Sequence, residues 1–320
     1  MSSRYGRRCP GPWPFAVFAA RRYARWLGSL LSLACIGWII HRFVAGGVAA
    51  RIMASADGRE LAIHIAMAAL AYTVGVGVLA CAWSLLQGAF SRTHVPMGQT
   101  VGTYLVTQLG KYLPGNVAQY VGRHMLLRRH GLSHVALLCC TFAEAGLLAA
   151  AALLVAAPVV GRFIAWWQAG WGAALVLASV AAATLVFAEL RKRFGGSRIA
   201  IDIFVPWRAW LAFMLYLVFF GVMGVTLLIV AGAEVRVHAG HAFLVASAAL
   251  AWLAGYFVVG APAGLGVREA VFLTLLRGSM PEDQVLLLVA MFRAATFGGD
   301  LLAFGLAAPF MRSGRAHKPP

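Results

Sequence analysis

The feature that most constrains this chain is a series of apolar runs near bilayer length, interrupted twice by cations and proline–glycine breaks. Runs at 26–45, 61–87, 133–157, 171–188, 209–231 and 284–310 approach or exceed the roughly 20 residues that cross a hydrocarbon core. Backbone groups in lipid find no water, so such runs must close their hydrogen bonds within themselves, as helices. Only 12% of the 320 residues are charged and 62% are hydrophobic, about half the charge of a soluble domain. The expectation is an all-α polytopic membrane protein. A single transmembrane domain covers 26–310, after a basic N-terminal segment at 1–25 and before a short tail at 311–320.

A net charge of +17 raises the question of nucleic acid, which the distribution of that charge answers in the negative. Six arginines (4, 7, 8, 21, 22 and 25) precede the first run, and Lys and Arg collect in cytoplasmic loops. With the breaks read as hairpins that return to the side they left, nineteen basic residues fall inside and five outside. Both termini are then cytoplasmic, in a bacterial inner membrane. If the hairpin arms cross instead, sidedness is unchanged, and the count of spans lies between six and ten.

The two breaks resemble each other. The first, "QLGKYLPGNVAQYVGRHMLLRRHGLS" (108–133), has an apolar helix, the break at Pro114–Gly115, an amphipathic helix with Arg123, and a turn at Gly131. The second, "GYFVVGAPAGLGVREAVFLTLLRGSMP" (255–281), has Pro262–Ala263–Gly264, then Arg268, then a turn at Gly278. A full span follows each, bearing Glu144 or Arg293 part-way along. Three spans between the copies are an odd number and invert the second. Inverted repeats with broken helices are a recurring transporter design.

A helix that begins inside the membrane leaves N–H groups unpaired at its positive end. The amides around Gly115, Asn116, Gly264 and Gly266, beside Arg123 and Arg268, therefore read as a receptor for phosphate or carboxylate. Lys111 and Gln119 are placed with them. Glu144, Arg293 and Asp300 would line a polar path, because charges at such depth must face a polar interior or each other. Glu144 is expected to approach Arg293 or Arg268, and Asp300, seven residues beyond Arg293, is the other candidate partner for that arginine. A purely structural ion pair is the competing reading. Arg128 and Arg129 fit inner-leaflet headgroups.

Metal and cofactor signals are weak. His130 and His134 flank a turn glycine, His238 and His241 lie in a loop, and neither pair has a third ligand at metal spacing. The five cysteines show no disulfide framework. The "GLG" at 264–266 is too short for a dinucleotide fingerprint, and no nucleotide-binding loop is present. The ten tryptophans fit an interfacial belt.

At "GKYLPGNVAQYVGR" (110–123), Glu144 and "PAGLGVREA" (262–270), the chain resembles the lysylphosphatidylglycerol synthase transmembrane family, which includes the flippase domain of the multiple peptide resistance factor. The resemblance runs from the second span to the last. It implies a fold that moves a lipid with an anionic or modified headgroup between leaflets, and adds Glu269 to the candidate site. Synthase members carry an aminoacyl-transfer domain after the last span, expected here to be absent. Two other classes stay open: an integral-membrane transferase on a polyprenyl-phosphate or phospholipid, and a scaffold for a lipid- or glycan-synthesis enzyme. The only adjacent acidic pair is Glu282–Asp283, which gives the transferase little to hold a metal with.

Overall fold

The computed structural model describes residues 58–91, 93–113, 117–163, 205–232, 240–258 and 261–312, with single helical residues at 174, 177 and 181. The runs expected to span at 26–45 and 171–188 lie outside these residues, as do Pro114, Gly115 and Asn116. The chain is an all-α polytopic membrane protein. Its described helices are α1 (Gly58–Phe90), α2 (Met97–Gln108), α3 (Ala118–Arg128), α4 (His134–Val155), α5 (Ala157–Phe163), α6 (Pro206–Ala231), α7 (His241–Phe257), α8 (Val267–Leu276) and α9 (Glu282–Arg312). Short 3-10 turns at Leu109–Tyr112 and Pro262–Gly264 sit at the two breaks. Among the described residues, α1, α4, α6 and α9 are long and apolar enough to cross a membrane.

Local chemistry sets the ends of these elements. Ser133 caps α4 by accepting from the Ala136 amide at 3.1 Å, satisfying one of the donors a helix start leaves open. Pro206 begins α6, where its missing N–H costs nothing. Gly131 and Gly278 have φ of +82° and +81°, so the turns leading into α4 and α9 need residues without a Cβ.

The hairpin arms settle a point that hydropathy left open. Helices α2 (12 residues), α3 (11 residues) and α8 (10 residues) reach about 15–18 Å at 1.5 Å per residue. That is roughly half of a bilayer core. The 17-residue α7 reaches about 26 Å and comes close to crossing. Helix α2 continues directly into the 3-10 turn Leu109–Tyr112, which extends that arm to about 26 Å as well, so each hairpin has one longer and one shorter arm.

The outer surface is apolar and the interior holds the charge, as in a protein solvated by lipid. Val74 and Phe142 are 63% and 75% exposed, whereas Lys111, Arg123, Glu144, Glu269 and Asp300 are buried. Small residues bring the long helices together. A Cβ on Gly299 would come within 2.8 Å of the Ala69 carbonyl and the Tyr72 ring, and one on Gly75 would press on Val222 and Phe219. At one end, the Val205 amide donates to the Ala89 carbonyl at 3.1 Å and Arg208 to the Gly88 carbonyl at 2.8 Å. That places the end of α1 beside the start of α6, with a cation on the negative end of α1.

Element order repeats as long, short, short, long: α1–α4, then α6–α9. Contacts repeat as well. Helix α2 packs on α9 while α7 packs on α4; α1 touches α2, α4 and α9, and α6 touches α7, α9 and α4. The two 3-10 turns touch each other. The turns beside the two breaks therefore meet inside the bundle.

Candidate functional site

Around that meeting point lie four cations and three carboxylates, held as three ion pairs and one remainder. In the first hairpin, Nη1 of Arg123 donates to both oxygens of Glu144 at 2.9 and 2.8 Å. The guanidinium lies 3.7 Å from the centroid of the Tyr104 ring, with Trp83 and Tyr120 at 5.4 and 5.5 Å. Arg123 is 3% exposed and Glu144 1%. A cation and its counter-ion are thus enclosed in an aromatic cage.

Two glycines let the chain fold that way. A Cβ on Gly110 would lie 2.6 Å from the backbone nitrogen of Gln119, and one on Gly122 would lie 2.9 Å from the Thr107 side chain. The returning arm can therefore press against the entering one. The same packing buries Gln119 at the cavity wall.

The second pair joins the halves. Nζ of Lys111 contacts the two oxygens of Asp300 at 2.9 and 2.7 Å, and the Tyr112 hydroxyl donates to Asp300 at 2.6 Å. Asp300, fully buried, follows the glycine that packs on the middle of α1. The third pair is Arg293 with Glu269, and Nη2 of Arg293 also lies 3.4 Å from the Ala263 carbonyl.

These pairings correct three expectations. Glu144 does not meet Arg293 or Arg268; it turns to Arg123 in its own half, because the α3 arm lies directly against α4. Asp300 does not pair with Arg293, since Lys111 and Tyr112 reach it from the break. The Gly264 and Gly266 amides are not open to a ligand. Gly264 donates to the Ala261 carbonyl at 2.9 Å, and Gly266 to Oε2 of Glu269 at 2.7 Å. Glu269 caps its own helix, the half of a capping box that a glycine at the cap permits.

Arg268 is the remainder. Among the described residues no carboxylate pairs with it, and its Nε is buried without a hydrogen-bond partner. Its guanidinium lies 5.3 Å from the centroid of the Trp252 ring. The side chain threads a slot between two glycines. A Cβ on Gly255 would fall 2.3 Å from Cγ of Arg268, and one on Gly264 would fall 2.7 Å from its Nε. Gly264 also has φ of +70°, so two independent constraints require glycine there.

Two cavities of about 40 Å³ each flank Arg268 and share Tyr72 and Trp252 as walls. One contains Glu269 and Arg293, the other Lys111, Arg123 and Glu144. Each has room for a few waters, far below the about 300–1,000 Å³ of a ligand pocket. A hydroxyl–hydroxyl bond of 2.8 Å between Tyr120 and Tyr256 ties α3 to α7 across the seam between the hairpins. Tyr256 stacks on Trp252 with ring centroids 4.9 Å apart.

The aromatic residues are what sequence reading missed. Trp83 and Trp252 belong to the interior, not to an interfacial belt. Their signal was spacing: Trp252 and Tyr256, like Tyr104 and Gln108, are four apart on one helix face with a polar group beside them. Elsewhere, Lys111 and Arg123, two of the cations assigned to the cytoplasmic side, are buried in the bundle, and the asymmetry survives without them. Arg128 donates to the Leu132 carbonyl at 2.6 Å, fastening the turn before α4. His134 stacks on His124 rather than His130.

No protein-family model matches this chain, and no curated protein matches it in sequence.

Proposed function

We propose that this protein is a lipid translocase, moving a lipid with an anionic headgroup between leaflets while its acyl chains stay in the bilayer. The observation that carries the reading is Arg268. A partly buried cation without a carboxylate, its Nε enclosed and unpartnered, is costly, and its cost is recovered when an anion enters. Its position suits that role, at the wall between two cavities where the broken hairpins of the two halves meet.

The paired contacts of the halves support a rocking mechanism, in which one half turns against the other about the central site. The inversion it requires depends on a crossing at 171–188, outside the described residues. The cavities are too small for a headgroup, so transport needs the hairpins to part. The seam closed by Tyr120 and Tyr256 is where they would do so, opening alternately toward each leaflet. Arg123–Glu144 and Arg293–Glu269, each within one half, would hold the hairpins in shape, while Lys111–Asp300, which joins the halves, would part with the seam.

Leaflet exchange in vesicles tests the reading. Purified protein, reconstituted with a fluorescent phosphatidylglycerol, is expected to expose the inner-leaflet label to a membrane-impermeant quencher. The Arg268→Gln protein should expose none beyond protein-free vesicles. Exchange at equal rates by both proteins, or by neither, would overturn it.

A further inference from the structure

We infer that the site selects lipids whose headgroup carries a single net negative charge, a phosphodiester without an amine. This rests on the translocase reading and names its substrate class. The argument is charge balance. Each of the three ion pairs is neutral, so the described polar interior carries one uncompensated positive charge, at Arg268.

In a weakly polarisable interior, net charge is the dominant cost. A phosphodiester monoanion brings the total to zero. A zwitterionic headgroup such as phosphoethanolamine leaves it at plus one and must also bury an ammonium. A phosphomonoester in its doubly charged form passes zero and leaves minus one.

Geometry agrees with the count. Arg268 has its stem fixed by Gly255 and Gly264 and its guanidinium over the Trp252 ring, so it presents a single cation. Arg123, by contrast, is held at Glu144 and within its cage. Among the described residues, nothing in the arrangement offers the second free cation that a dianion would need.

The test is native mass spectrometry of the full-length protein, extracted with equal amounts of phosphatidylglycerol, phosphatidylethanolamine and phosphatidic acid of the same acyl chains. The wild type is expected to retain phosphatidylglycerol over phosphatidylethanolamine by at least about tenfold, the value of one charge-assisted hydrogen bond. Site charge is then changed by steps. Glu269→Gln keeps an oxygen for the Gly266 amide, raises the site by one charge and should shift preference to phosphatidic acid. Arg293→Gln lowers it by one and should erase the preference. The double variant restores the original balance and should restore phosphatidylglycerol.

Dimethyl phosphate, a soluble phosphodiester monoanion, separates sources of the same chemistry. Lipid retention that persists in its presence supports a lipid substrate, and full displacement by it overturns that part. Equal retention of the three lipids by wild type, or a preference that ignores all three variants, overturns the inference. Leaflet exchange that treats phosphatidylethanolamine and phosphatidylglycerol alike would overturn it too, while leaving the translocase reading standing. Selective binding without any exchange would do the reverse.

Discussion

The two hairpins place an arginine at comparable points, and opposite surroundings make one arginine a strut and the other a receptor. After the first hairpin, the long helix supplies Glu144, which neutralises Arg123 through two contacts. After the second, the corresponding part of the long helix supplies Arg293, a second cation. Arg293 takes Glu269 for itself, and Arg268 is left over. A symmetric architecture thus produces an asymmetric charge. Had α9 carried an acid in place of Arg293, three cations would face four carboxylates, and the interior would repel an anion.

The sharpest way to break this comparison is to remove the counter-ion that makes the halves differ. Glu144→Gln leaves Arg123 enclosed at 3% exposure with no opposite charge, at an expected cost of about 3–5 kcal/mol. Thermal denaturation in detergent should show a large fall in midpoint, with low yield. A normal midpoint would mean that the first pair is not structural and that the two halves are alike.

The glycines give the next largest effect and separate two kinds of close approach. At Gly110 an added methyl meets backbone, the Gln119 nitrogen at 2.6 Å; at Gly255 it meets the flexible side chain of Arg268 at 2.3 Å. Overpacking typically costs about 1–3 kcal/mol, and backbone yields less readily than a side chain. Gly110→Ala should therefore be the less stable of the two. Gly255→Ala should melt closer to wild type but lose lipid retention, because it expels Arg268 from its slot. Equal melting points with lipid retained in both would show that the slot does not position the cation.

What the sequence made legible follows from the range of each signal. The long helices, turn glycines and broken hairpins come from composition and local backbone rules, which act within a few residues. The candidate charges could be named because any charge at such depth is expensive. Which charge meets which could not be read, since partners depend on how helices distant in sequence are rotated. Lys111 and Asp300 are joined only by the packing of α9 against the 3-10 turn at Leu109–Tyr112. The glycine slot was equally hidden: Gly255 reads as one more small residue in an apolar helix, and Gly264 as part of a turn.

A smaller effect is expected at the seam. Tyr256→Phe removes one hydroxyl and leaves its stacking on Trp252 in place, so the loss should be about 0.5–1.5 kcal/mol. If the seam opens during transport, this variant exchanges lipid at least as fast as wild type while being slightly less stable. If the tyrosines instead belong to the anion site, exchange falls with stability. Quencher assays and melting curves on the same preparation separate the two.

The smallest effect on stability belongs to the residue with the largest expected effect on function. Replacing Arg123 by Gln strands Glu144 and should cost as much as replacing Glu144 itself. Replacing Arg268 by Gln strands no carboxylate among the described residues. The variant loses a cation over Trp252, worth about 0.5–2 kcal/mol, but also loses the desolvation cost of an unpaired charge, which is of at least that size. The two nearly cancel, and the melting point should stay within the equivalent of about 1 kcal/mol of wild type. Lipid selectivity and leaflet exchange should vanish in the same sample. A receptor without a counter-ion is dispensable to the fold and indispensable to the ligand; a strut is the reverse. If Arg268→Gln unfolds the protein while Arg123→Gln leaves it intact, the roles assigned to the two hairpins are exchanged.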